Sequence, residues 1–192
     1  SPAFQSFKVD HEAVSTNIYQ RFAFLRQEMS SPEFEESMAR IVSSPNTRWK
    51  SEDEDRDVRR VRRLGSREIR QIAYGKNRIP VGNQVANANG ISLTSVPRSI
   101  LSSRKVEDLN TPENQFVKHA VEMFSNLAFR VAESGGRESR VGREAAEIEQ
   151  RLSRTLTGSF LKMVDSPKTL HLNSPVLQRK QGYREIFQLW VL

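Results

Sequence analysis

Thr111-Pro112-Glu113-Asn114-Gln115-Phe116-Val117-Lys118-His119 is the stretch from which the fold is read. Thr111 offers a hydroxyl to an orphan amide of a first helical turn, Pro112 needs no amide partner at the first helical position, and Glu113 lies where the helix dipole favours a carboxylate. The stretch therefore predicts a helix N-terminus. Beyond it, Phe116, Val117, Ala120, Val121, Phe124, Leu127, Ala128 and Val131 form a broad apolar face, opposed by Lys118, Glu122, Asn126 and Arg130, until Gly135-Gly136 ends the run. Val141, Ala145, Ile148, Leu152, Thr155 or Leu156, Ser159 and Met163 then recur at alternating spacings of four and three, the narrow seam of a coiled coil. The two predict a long antiparallel helical hairpin of about 25 residues per side, roughly 35 to 40 Å long at 1.5 Å per residue. The first helix has more apolar surface than that seam can cover, so a C-terminal helix from near Val176 to Leu192 is expected to cover the rest.

Working outward, Val14, Ile18, Phe22, Leu25 and Met29, with Phe24 alongside, follow helical spacing and predict a helix of about five turns from Asp10 to Ser30. Ser31 then reads as an N-cap with Pro32 behind it and Glu33 and Glu35 in the first turn, opening a second helix through Phe34, Met38, Ile41 and Val42 that stops at Ser43-Ser44-Pro45. Residues 75 to 103 change character. Gly75, Pro80, Gly82, Gly90 and Pro97 punctuate short apolar pieces, Ile79 to Val85 and Ile91 to Val96. Asn89-Gly90 suits a type I′ turn, so this region is either a small hairpin or an extended connector. The expected class is mainly α, in three segments: a helical pair over 1–48, an Arg-rich segment and connector over 49–110, and the hairpin with its C-terminal helix over 111–192.

Composition narrows the function classes. Cys is absent, which removes disulfides and thiolate metal sites and agrees with a reducing cytoplasm. His11, His119 and His171 lie far apart, without the spacing of a metal site, and no cofactor or metal is expected. No apolar stretch approaches the ~20 residues that span a bilayer, so a soluble cytoplasmic chain is expected. Hydrophobic residues at 36% against 28% charged leave a large polar surface share, which suits elongated helical parts better than a compact sphere. The opening Ser1-Pro2-Ala3-Phe4 and the closing apolar run Ile186 to Leu192 read as the ends of a piece of a longer protein.

The formal net charge is +7, and residues 56 to 78 hold nine basic residues against Asp57 and Glu68, which accounts for the whole excess. Arg59, Arg60, Arg62, Arg63, Arg67, Arg70 and Arg78 are candidate DNA contacts, because a guanidinium presents a planar fork of donors to phosphate oxygens. Tyr74 stands alone among them, so contact would be to the DNA backbone and not by base stacking. Two other readings stay open. An acidic protein partner would suit the same charge. So would a solvated helix face, since Val58, Val61, Leu64, Ile69 and Ile72 recur near spacings of three. The acidic block Ser51-Glu52-Asp53-Glu54-Asp55 just upstream could screen these arginines by folding back.

A second stretch, Ser174-Pro175-Val176-Leu177-Gln178-Arg179-Lys180-Gln181-Gly182-Tyr183-Arg184-Glu185, pairs with the first. Together they resemble the module preceding the nuclease domain in McrC-like and LlaJI-like restriction subunits, most clearly over residues 95 to 192. The resemblance implies a helical docking or spacer module of an anti-phage restriction system, linking a PD-(D/E)XK nuclease to an McrB-like AAA+ NTPase. The matching positions are Glu113, Asn114, Lys118, Gln178, Arg179, Gly182, Tyr183 and Arg184. Each has an ordinary structural reading: Glu113 at a helix dipole, Asn114 bonded to a nearby loop, Lys118 sharing an acidic partner with it, Gly182 at a close helix approach or a break. Glu113 paired with Arg179 or Arg184 would tie the two stretches together. Arg143 and Arg154, on the outer face of the hairpin, are candidate partner contacts.

The residues themselves show no nuclease constellation. An Asp followed by acidic-x-Lys on adjacent strands, as a metal-dependent nuclease requires, is missing, and so is a G-x-x-x-x-G-K-[ST] phosphate loop. The chain is expected not to be an enzyme by itself. A DNA-binding module acting through the Arg segment is the competing class, and a helical scaffold that oligomerises through the hairpin is a third.

Overall fold

The computed structural model describes residues 18–80, 94–136 and 138–192, and it is mainly helical. The chain divides into two units, one of residues 1–48 with 108–192 and one of residues 49–107.

The larger unit is built from capped helices. Helix α1 covers residues 18–29, and the expected start of this helix near Asp10 lies outside the described residues. Helix α2, Pro32–Ser43, opens on Ser31, whose Oγ accepts the Phe34 amide at 3.2 Å. Helix α4, Pro112–Gly135, opens on Thr111, whose Oγ1 accepts the Asn114 amide at 3.3 Å. Both starts follow from a Ser/Thr-Pro-Glu triplet that satisfies one orphan amide, needs no second and sets a carboxylate at the dipole. Helix α5, Arg140–Gly158, is capped by Ser139 and makes its main contact with α4.

Two helices are shorter than their periodicity suggests. The seam read from sequence runs to Met163, but α5 ends at Gly158; Ser159 caps a separate 3-10 turn, Phe160–Met163, and Met163 is 71% exposed. The C-terminal helix is two helices, α6 over Pro175–Arg179 and α7 over Tyr183–Val191. Gly182 separates them at φ 88°, a conformation side-chain-bearing residues avoid. A Cβ there would also lie 2.9 Å from the Ser37 carbonyl oxygen and 3.0 Å from Ile41 Cγ1, so α2 fits against the chain only because position 182 is glycine.

Phe22 and Met29 of α1, Phe34, Met38 and Ile41 of α2, and the apolar face of α4 form one core with Ala145, Ile148, Leu152, Leu161, Leu177, Tyr183, Ile186 and Leu189. Phe116 is the hub, with the rings of Phe187 and Trp190 edge-on at 5.7 and 5.4 Å. Arg151 ties three helices: Nη1 bonds Glu35 at 2.8 Å and Nη2 bonds the Met29 carbonyl.

The smaller unit departs most from expectation. Strand β1, Arg48–Asp57, carries the acidic block and pairs with β4, Ser99–Asp108. A 3-10 turn, Val58–Arg60, follows β1, and helix α3 is confined to Ser66–Tyr74. The continuous helix face suggested by Val58, Val61 and Leu64 is therefore not formed; those residues lie in the 3-10 turn and in the stretch before α3. Strands β2, Arg78–Pro80, and β3, Ser95–Pro97, pair antiparallel with Ile79 opposite Val96, while the Asn89-Gly90 dipeptide lies outside the described residues.

Polar bonds hold this unit more than apolar burial does, since Ile100 is the only large apolar side chain buried in it among the described residues. The Gln71 side chain joins α3 to β4, donating to the Leu101 carbonyl at 2.9 Å and accepting its amide at 2.8 Å. No helix among the described residues is long and apolar enough to cross a membrane.

Candidate functional site

The two stretches singled out in the sequence meet in the larger unit. Tyr183, at the start of α7, is wholly buried, and its hydroxyl donates to Asn114 Oδ1 at 2.5 Å while accepting the Asn46 amide at 2.8 Å. Asn114, also wholly buried, donates from Nδ2 to the carbonyls of Asn46 and Leu109 at 2.8 and 2.7 Å. Glu113 accepts from Ser174 Oγ at 2.6 Å and from Asn46 Nδ2 at 3.0 Å. Three parts of the chain, the loop at Asn46, the start of α4 and the segment from Ser174 to Tyr183, are thus closed into one network.

Its electrostatics are those of a structural joint. Burial pushes the Tyr183 hydroxyl up to about 12, reinforced by the nearby Glu113 charge and only partly offset by the Asn46 amide. A phenol so placed keeps its proton and serves as a donor. For Glu113, burial raises the carboxyl, but the hydrogen bonds from Ser174, its own amide, Asn46 and Thr111 outweigh it and hold the group below the ordinary carboxylate range. Burial also lowers the Lys180 ammonium, whose Nζ donates to the Ser44 carbonyl at 3.0 Å and sits 5.0 Å from the Tyr183 ring centroid.

Several sequence assignments change here. Glu113 is bound by Ser174 and Asn46; Arg184 instead contacts Glu185 at 2.7 Å, and Arg179 is exposed. Lys118 shares no acid with Asn114: its Nζ bonds the Val164 carbonyl at 2.6 Å, with Glu122 at 4.0 Å. Gln178 is exposed, as are Arg143 and Arg154 on α5. Asn46 escaped the sequence reading, and Ser174 entered it only as the first residue of the second stretch, because a loop Asn and a helix-capping Ser carry no signal of their bond until the partner they meet is known.

The arginine set of the smaller unit divides in two. Arg67 is held by Asp53 through two bonds of 2.8 Å, which raise the guanidinium and lower the carboxyl. Arg78 is a structural clamp: Nη1 bonds the Ile72 and Ala73 carbonyls at the end of α3, and Nε bonds Ser95 Oγ at 2.9 Å. Arg59, Arg60, Arg62, Arg63 and Arg70 are exposed and have no ion pair among the described residues. The acidic block thus screens its neighbours selectively, Asp53 taking Arg67 and Glu54 taking Arg56. Residues 49–107 hold 13 Lys and Arg against 7 Asp and Glu, a net +6 of the chain's +7.

Among the described residues, no group of three or more His, Asp or Glu is placed to hold a metal ion. No curated protein and no solved structure matches the chain. A family model does match, over residues 1–190, and by that match the chain belongs to the family described as Domain of unknown function (DUF2357).

Proposed function

We propose that this domain is a non-catalytic docking and spacer module of an McrC-like anti-phage restriction subunit, joining a nuclease to an McrB-like AAA+ motor in the cytoplasm. One observation carries the reading. Glu113, Asn114, Ser174 and Tyr183, from the stretches that bear the resemblance, are taken up in a network whose phenol stays protonated and whose carboxylate is bound by neutral donors. Residues used this way fix the relative placement of α4 and α7 and offer no group to a substrate. The working surface is then the outside of the helices. In this reading α4 and α5 form a long antiparallel helical hairpin whose outer face, with Arg143 and Arg154, touches the motor.

The test uses the full-length subunit with its motor. Arg143→Glu with Arg154→Glu should weaken stimulation of nucleotide hydrolysis while circular dichroism stays unchanged, because exposed substitutions alter stability by under ~0.5 kcal/mol. Wild-type stimulation by that variant removes α5 as the docking element. The domain alone, incubated with plasmid and Mg²⁺ or Mn²⁺, should leave the DNA intact; nicking abolished by a point change within it would overturn the non-catalytic reading.

A second reading rests on the five unpaired arginines of the smaller unit: contact with the DNA backbone. Each neutralised phosphate releases counterions, so the logarithm of affinity should fall with that of salt by about 0.9 per contact. Arg59, Arg60, Arg62 and Arg63 changed together to Glu should abolish binding. Binding that survives this change excludes the segment as the DNA site.

A further inference from the structure

Outside the buried network, the larger unit carries an open groove of about 700 Å³ between α1, α4 and α7. Phe24 and Leu25 of α1, Met123 and Leu127 of α4, and Leu189 and Trp190 of α7 line it. Phe24 is 47% and Met123 39% exposed, and neither belongs to the buried core. Large apolar side chains left open together in one groove are available to the apolar side chains of a partner.

Two features specify the occupant. Arg21 and Arg130 also line the groove, are exposed, and have no ion pair among the described residues, whereas Glu122, the one acidic side chain among its described lining residues, has Lys118 at 4.0 Å. The rim therefore has uncompensated positive charge. Met123, Leu127 and Arg130 follow one another at spacings of four and three along α4, a row of about 10 Å at 1.5 Å per residue. Such a row meshes with the i, i+3/i+4, i+7 anchors of another helix laid in the groove.

We infer that this groove binds an amphipathic helix of a partner protein, seating two or three aliphatic or aromatic anchors between Phe24, Met123 and Trp190, with acidic residues beside the anchors facing Arg21 and Arg130. The inference does not depend on the motor reading: the groove lies apart from Arg143 and Arg154, and its occupant is defined by its own chemistry.

The experiment is selection of phage-displayed amphipathic helical peptides, randomised at both apolar and flanking positions, on the whole chain, with counter-selection against Met123→Glu. Met123 is exposed, so the variant should keep the wild-type circular dichroism, which is checked first; Phe24→Ser serves if it does not. Enriched peptides should carry apolar residues at helical spacing and a clear excess of Asp and Glu over Lys and Arg at the flanks. Their affinity should fall at least about tenfold on Met123→Glu. Arg21→Glu with Arg130→Glu should reverse the preference toward Lys-flanked versions of the same peptides. In a Trp49→Phe background, binding should shift Trp190 emission. Failure to enrich any peptide sensitive to Met123→Glu overturns the proposal, as does enrichment without an acidic bias. Sedimentation showing a dimer that Met123→Glu dissociates would assign the groove to a second copy of this chain and overturn it as well.

Discussion

Tyr183→Phe removes one oxygen atom and tests whether the joined stretches are a structural joint. The loss leaves Asn114 Oδ1 without its donor and the Asn46 amide without its acceptor. A buried polar group stripped of its partner costs about 1–3 kcal/mol. Asn114 is wholly buried and bears the full penalty, while Asn46 is half-buried and recovers part of it from water. The sum is about 2 to 4 kcal/mol. At a urea slope of about 2 kcal/mol per molar, the midpoint should fall by roughly 1 to 2 M. The chain has two Trp residues, Trp49 in the smaller unit and Trp190 in the larger, so Trp49→Phe leaves Trp190, packed against Phe116, as a reporter of the larger unit alone.

The same residue makes an alkaline prediction of definite sign. The folded hydroxyl lies at about 12 and the ordinary value is 10.0, so the folded state holds its proton more tightly than the unfolded one. Stability from this group is fully present below pH 10.0 and is lost as pH rises through about 12. Relative to wild type, Tyr183→Phe should therefore be less sensitive to pH across that window, by up to roughly 3 kcal/mol. A midpoint shift under ~0.3 M in urea, with parallel alkaline curves for the two proteins, would show that the network contributes nothing to the fold.

Other outcomes follow from the same geometry. Glu113→Gln should destabilise the larger unit at neutral pH; the Glu113 carboxyl is depressed, so its stabilisation is complete above the ordinary carboxylate range and is lost as pH falls through the lower folded value. The gap between the two proteins in acid urea titrations should narrow over that fall, and a constant gap would mean that charge plays no part. Gly182→Ala forces a side chain into φ 88° and against the Ser37 carbonyl oxygen, and should cost at least ~2 kcal/mol in thermal melts; a neutral result would place the α6–α7 break elsewhere. Leu152→Asp puts a carboxylate where 1% of the side chain is exposed and should lower the melting temperature sharply, while Arg143→Glu should leave it within experimental error. Equal melting of these two variants would disprove the packing of α5.

The α-helical part of the molecule was legible in the chain because its causes are local. Ser31-Pro32-Glu33 and Thr111-Pro112-Glu113 define helix starts through bonds made within four residues, and the apolar rows of α1, α2 and α4 mark which face turns inward. The competing rows misled where periodicity continued past a break: Met163 kept the spacing of the seam after Gly158, and Val58, Val61 and Leu64 kept helical spacing in a segment outside α3 where none of the three is fully buried. Strands β1 and β4 left little trace, because β1 is nearly all charged and exposed and gives alternation nothing to report.

What tertiary structure alone decided are the pairings over long separations. Sequence could place Glu113, Asn114 and Tyr183 in motifs, and charge alone suggested Glu113 with Arg179 or Arg184. The fold instead brought in Asn46 and Ser174, 67 and 61 residues away from Glu113, because a buried carboxylate takes whichever donors the packing of α2, α4 and α6 delivers. Likewise, Arg67 and Arg78 could not be told from Arg59 or Arg70 by their positions in an Arg-rich run. Their partners, Asp53 and the end of α3 with Ser95, are reached only once the strands have formed, since a hydrogen bond depends on where two groups meet in space and the local sequence records only one of them.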